Sequence, residues 1–205
     1  MKNLLITLVM VSTAFAGEFT QLFNGKDFTN WGGEGKTEKS GYVVKDGVIT
    51  STPKCNVLMT EKEYSNYTLE FEFKLTEGAN NGLGIHYPGE GDAAYVGMEL
   101  QILDNTAEKY AKLKPSQYHG SLYKLAAAKR GALKPVGEWN EQVVTVKGPM
   151  VTVVLNGVEI LKGNLDDLSK ENPEHAGAKR RKGKIAFCGH GDVVSFRKIR
   201  IHESE

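Results

Sequence analysis

Residues 67–75 alternate without a break. Tyr67, Leu69, Phe71, Phe73 and Leu75 fall on one face of an extended chain, and Thr68, Glu70, Glu72 and Lys74 on the other. A period of two fits a strand and not a helix face, so this segment is a strand with one apolar side to bury. One strand cannot hide that side alone; it needs a second packed layer. The chain supplies the layer in the same style. Residues 42–50 carry Asp46-Gly47 between β-branched runs, and residues 150–162 carry Asn156-Gly157, both compositions of a two-residue hairpin turn. Shorter strands read at 57–59, 80–87, 142–147, 183–188 and 193–202. About a dozen strands with almost no helix mean an antiparallel sandwich or barrel, and the clean split of apolar and polar faces favours two stacked sheets. With no repeat and no linker, residues 17–205 read as a single all-β domain.

Composition narrows the function. Charge is balanced at +1 in 205 residues, which argues against a nucleic-acid partner or a charged membrane surface. No internal stretch is long and apolar enough to span a bilayer. The N-terminus has the order of a secretory signal: Lys2, an apolar run over 4–11, and the small-x-small site Ala14-Phe15-Ala16. Cleavage is expected after Ala16, giving a periplasmic or extracellular protein. No Cys follows the site, so a lipid anchor is not expected. Export permits a disulfide between Cys55 and Cys188, but spacing leaves open whether they pair or stay as two buried thiols.

Residues 96–105 form the stretch on which function turns. Val96, Met98, Leu100 and Ile102 share one strand face, with Gly97, Glu99 and Gln101 on the other, and Asp104-Asn105 end it. If that second face is solvated, Glu99 and Gln101 are ordinary surface residues. If it lines a groove, they are a carboxylate and a carboxamide on a rigid element. Residues 106–138 lack periodicity and hold aromatics, as functional insertions do. In the last strand Val194 and Phe196 fall out of phase with Ile199 and Ile201, so a bulge is expected near Arg197 or Lys198.

Several motifs now stand in order along residues 19–203. They are Leu22-Phe23-Asn24-Gly25-Lys26-Asp27 with Trp31, Thr60-Glu61-Lys62-Glu63-Tyr64, residues 97–105, Gly120-Ser121-Leu122-Tyr123, Gly137-Glu138-Trp139-Asn140, Leu155-Asn156-Gly157, and Gly189-His190-Gly191-Asp192 running into residues 195–201. Together they resemble the 3-keto-disaccharide hydrolase domain family, once labelled only as a domain of unknown function. The resemblance implies a concanavalin A-like lectin/glucanase jelly roll that acts on glycosidic bonds of 3-keto sugars. Two positions depart from the family: His86 stands where an Arg is frequent, and Lys124 where a Gly is frequent.

A 3-keto sugar carries an acidic proton at C2. A base can remove it, the C1 substituent leaves, and water then adds; an electrophile at the ketone or an acid at the leaving oxygen helps. An ordinary glycosidase instead sets two carboxylates across C1. Glu99 is the candidate base and His190, between two glycines, the candidate acid or electrophile. The alternative for Glu99 is a solvated strand face, and for His190 an exposed turn residue. Gln101, His86, His119, Tyr123, Asp192 and Arg197 are candidate substrate contacts. Their structural alternatives are cross-strand pairing for Gln101 and an edge ion pair for Arg197. Glu99 with His86, His119 and His190 would make a His–carboxylate set, so a divalent metal ion is a candidate cofactor. Tyr95, Tyr118 and Tyr123 are candidates for stacking on a sugar face. Trp31 and Trp139 read as core, Asp104 as a turn former, and His175 and His202 as solvated. The competing function is a non-catalytic carbohydrate-binding jelly roll, which needs aromatics and amides but no reactive carboxylate.

Overall fold

A computed structural model describes residues 18–33 and 40–205. The expected leader over residues 1–16 lies outside the described residues. In chain order the strands are β1 (Thr20–Gln21), β2 (Trp31–Gly33), β3 (Tyr42–Lys45), β4 (Val48–Ser51), β5 (Val57–Thr60), β6 (Tyr67–Leu75) and β7 (Asn80–Tyr87). A single helical turn, α1 (Ala93–Val96), precedes β8 (Met98–Leu103). Then come β9 (Trp139–Lys147), β10 (Met150–Leu155), β11 (Val158–Asn164), the helix α2 (Leu165–Glu171), β12 (Lys184–Gly189) and β13 (Val194–Glu203). They form two antiparallel sheets. The larger runs β11-β10-β9-β6-β13-β4-β3, with β1 beside β13, and the smaller runs β2-β5-β12-β7-β8. Among the described residues, no helix is long and apolar enough to cross a membrane.

The alternation of β6 is realised as written. Tyr67, Leu69, Phe71, Phe73 and Leu75 are buried between the sheets. Glu70 and Glu72 face outward and pair with Arg200 and Arg197 of β13. Aromatic rings reinforce the packing: Phe187 of β12 stacks on Trp31 of β2 within the smaller sheet at 5.5 Å, and across the layers on Phe196 of β13 at 3.9 Å. Offset ring pairs of this kind contribute roughly 0.5–1.5 kcal/mol beyond their burial. The expected bulge is present, since the β13–β6 register shifts between Arg197 and Arg200 and Lys198 sits at φ 51°. Both hairpins close as anticipated, with Asp46-Gly47 and Asn156-Gly157 all at positive φ.

Three expectations are corrected here. Val96 is not part of β8; the Asp92 side chain accepts the Ala94 amide and caps α1, and the strand starts after Gly97. His175 is buried rather than solvated, with its ring hydrogen-bonded to the Ala94 carbonyl and accepting the Ala178 amide. Trp139 lies outside the core, with Arg197 stacked 3.9 Å from its ring and Lys74 at 5.0 Å. The cysteines are both free. Cys188 faces the Gly84 side of the small sheet, whereas Cys55 fills the space where a Gly189 side chain would go. Consecutive strand residues point to opposite faces, so the two thiols stand on opposite sides.

Candidate functional site

The face of the small sheet away from the core carries Glu99 and Gln101. Met98, Leu100 and Ile102 alternate with them and fill the core. Neither polar residue is solvated: Glu99 is 4 % exposed and Gln101 5 %. The insertion over 106–138 returns to cover the free edge of β8. The amides of Gly120 and Tyr123 donate to the carbonyls of Gln101 and Glu99, and the Gln101 amide donates to the Ser121 carbonyl. This pairing delivers Tyr123 to the rim of the face.

Glycines give Glu99 its place. Gly82 and Gly84 of β7 lie opposite Gln101 and Glu99 in register. A Cβ at Gly82 would overlap the Glu99 Cδ and Oε1, so the carboxylate lies across the bare backbone of β7. The Asn-Asn-Gly-Leu-Gly spacing of residues 80–84 is the sequence signal for this berth. Gly82→Ala is expected to displace Glu99 and to lower turnover. Activity equal to that of the parent chain would show that the carboxylate needs no such berth.

At the far end of this berth stands His190, just beyond β12. Its Nε2 lies 3.2 Å from Glu99 Oε1. The Glu99 carboxylate hydrogen-bonded to it is the main cause that raises the imidazolium pKa above the ordinary 6.5; burial opposes this, and the charges of Asp92 and Asp192 add to the rise. Around the pair lies a cavity of about 150 Å³, lined by Asn80, Asp92, Tyr95, Gln101 and Tyr123. Gln101 is oriented by its Nε2 donating to Asn80 Oδ1 at 2.6 Å. Tyr95 and Tyr123 flank the opening. Lys124 spans them, with Nζ donating to the Tyr95 hydroxyl at 2.7 Å and lying 5.3 Å from each ring centroid. Lys124 holds φ 60°, a left-handed backbone where glycine is at ease, so the departure from the family lies at the rim of the cavity.

Glu99, Gln101, Tyr123 and His190 are thus brought together, and five other candidates are not. His86 is fully buried, and burial lowers its pKa to about 4 against the opposing effect of the Ser65 and Arg180 backbone. A register shift between β12 and β7 falls at this point and His86 takes φ 51°, away from the cavity lining. His119 is a core residue: it stacks on Phe73, accepts the Leu103 amide at Nδ1 and meets Gln142 Oε1 through Nε2. Arg197 sits on the large sheet, paired with Glu72 at 2.6 Å. Asp192 leaves the orienting of His190 to Glu99 and faces Lys109 at 3.8 Å. Tyr118, a stacking candidate, is buried under Arg130 with its hydroxyl donating to the Tyr110 carbonyl. Among the described residues no three His, Cys, Asp or Glu side chains converge as a metal-binding set, so the four-residue cluster suggested by the sequence is not assembled. Asp92, which sequence reading passed over, does line the cavity while capping α1.

Residues 18–202 match the family model described as a 3-keto-α-glucoside-1,2-lyase-like domain. The chain belongs to this family. A 3-keto-disaccharide hydrolase of Bacteroides thetaiotaomicron is 27% identical over 91% of this chain and 78% of its own. A crystal structure from Parabacteroides distasonis, provisionally described as a glycosyl hydrolase, is 27% identical with a TM-score of 0.79. It covers 91% of this chain and all of its own. The carbohydrate-binding module CBM66 of Bacillus subtilis shares the fold alone, at TM-score 0.55 and 11% identity over 87% of this chain and 98% of its own. The fold is the expected lectin-like jelly-roll sandwich. Membership supports a hydrolase acting on carbohydrate.

Proposed function

We propose that the chain is an exported enzyme that cleaves glycosides of 3-keto sugars by elimination and then hydration, with Glu99 as base and His190 as acid. The observation that carries this reading is the contact between a buried carboxylate and an imidazole of raised pKa at the floor of one small cavity. Glu99 removes the C2 proton while the electron pair forms the C1–C2 double bond. The C1–O bond breaks, and the leaving oxygen takes the proton of the His190 imidazolium. Water then adds: neutral His190 accepts a proton from water as oxygen bonds to C1, and Glu99 returns its proton to C2. Both groups end as they began, and the net reaction is hydrolysis.

Several features favour elimination over displacement at C1. The family description names a 1,2-lyase, the bond change that an elimination makes. A carboxylate–imidazole pair supplies base and acid in one step, and the second carboxylate at the cavity, Asp92, is engaged in capping α1 rather than free to serve in a two-carboxylate glycosidase mechanism. The cavity volume suits one sugar ring, leaving the second ring to project past Tyr95 and Tyr123. Gln101 and Asn80 offer amide groups to ring hydroxyls.

The test is direct. Purified protein is incubated with a disaccharide oxidised at C3 and with its unoxidised parent, each with and without a chelator. Release of sugar from the oxidised compound alone is the expected result, and equal cleavage of the parent would remove the keto requirement. A chelator effect would add a metal to the residues named here.

A further inference from the structure

A second cavity, about 810 Å³, opens between the end of β8 and the insertion, and shares no lining residue with the Glu99 cavity. Its size falls within the range of ligand-binding clefts. Its apolar wall is Leu75, Leu133, Pro135 and Val136. The wall is held in place by hydrogen bonds to its backbone. Asn140 Oδ1 accepts the Lys134 amide, Asn156 Nδ2 donates to the Ala132 carbonyl, and the Gly137 amide donates to Leu75.

The polar groups at this cavity are mostly donors. The Arg130 guanidinium stands over the Tyr118 ring, its Cζ 3.9 Å from the centroid, with no carboxylate partner among the described residues. Stacking leaves the edge donors of a guanidinium free, and their planar fork matches a carboxylate. Asn105 uses its Oδ1 to accept the His119 amide, so its side-chain NH2 remains available to the cavity. Lys134 adds a second cation, with Nζ donating to the Trp139 carbonyl. The one acid in the lining, Asp104, is engaged by the Gly78 amide and by the amide and hydroxyl of Thr106.

We infer that this cleft is a second binding site, separate from the Glu99 cavity, for a sugar bearing a carboxylate. The acid group would meet Arg130 and Asn105, and the ring would lie against Leu133 and Pro135. Such a site would hold an acidic glycan beside the cavity without taking part in bond cleavage.

Calorimetric titration of the whole chain with methyl glucuronide, methyl glucoside and acetate tests it. Methyl glucuronide is expected to bind, and both partial ligands to bind more weakly, because one lacks the acid and the other lacks the ring. Arg130→Gln is expected to weaken glucuronide binding roughly tenfold, the size of one lost charged hydrogen bond, with unchanged melting temperature. Glu99→Gln is expected to leave it unaltered. Acetate binding as well as the glucuronide would reduce the site to a simple anion contact and overturn the proposal. So would binding indifferent to Arg130→Gln, or binding lost in Glu99→Gln. Turnover of a 3-keto disaccharide is a separate readout, so failure of either proposal leaves the other standing.

Discussion

Glu99→Gln is expected to reduce turnover of a 3-keto glycoside by roughly 10²–10⁴-fold, the usual contribution of one positioned proton-transfer group. The amide keeps the shape of the side chain over Gly82 but cannot accept the C2 proton. Binding of substrate should change little, because Gln101, Asn80, Tyr95 and Tyr123 are untouched. A second readout comes from His190. Without the carboxylate 3.2 Å away, its pKa should fall back toward 6.5, which a histidine-resolved NMR titration measures directly. In the parent enzyme, His190 must be protonated to serve as acid. kcat/KM should therefore decline as pH rises through that raised pKa. Turnover that survives in Glu99→Gln, with binding intact, would remove Glu99 as the base and place the proton abstraction on another group.

Stability should fall steeply between pH 6.5 and 4, by about 3 kcal/mol for each of two histidines. His86 and His119 are neutral in the fold because burial holds both at about pKa 4. In the unfolded chain they protonate near pH 6.5. The unfolded state therefore binds more protons in this window, and acid favours it. His190 works with the opposite sign: its pKa is raised in the fold, so its contribution is complete below pH 6.5 and fades only as pH rises through the folded value. His86→Leu should remove about half of the acid slope. Near neutral pH the ring is already neutral, so the change of slope should appear only below pH 6.5. Urea unfolding at several pH values measures the slope. An unchanged slope in His86→Leu would mean that this ring meets water after all.

Features that depend on neighbours in the chain could be read before folding. The strict alternation of 67–75 became β6, the Asp46-Gly47 and Asn156-Gly157 pairs became turns, and the broken phase of 194–201 became the bulge at Lys198. The shared face of Glu99 and Gln101 belongs to the same class, because period two is a local property. Whether that face was wet or buried was not local. It was decided by two segments distant in sequence, the Gly120–Tyr123 return along β8 and the glycines of β7.

The histidines show the boundary most clearly. In sequence, His86, His119 and His190 are equal as titratable rings with turn or strand neighbours. In the fold, two are driven into the core with depressed pKa values and one is set against a carboxylate 91 positions away. Arg197 likewise looks available in sequence and is consumed by Glu72. Alternation and turn composition dictated the long strands, their hairpin turns and the placing of Glu99 with Gln101 on one face, since each follows from backbone geometry over a few residues. The meeting of Glu99 with His190, and the removal of the other rings and Arg197 from it, was decided only when two sheets packed, because burial and partner distance are set by contacts between distant segments.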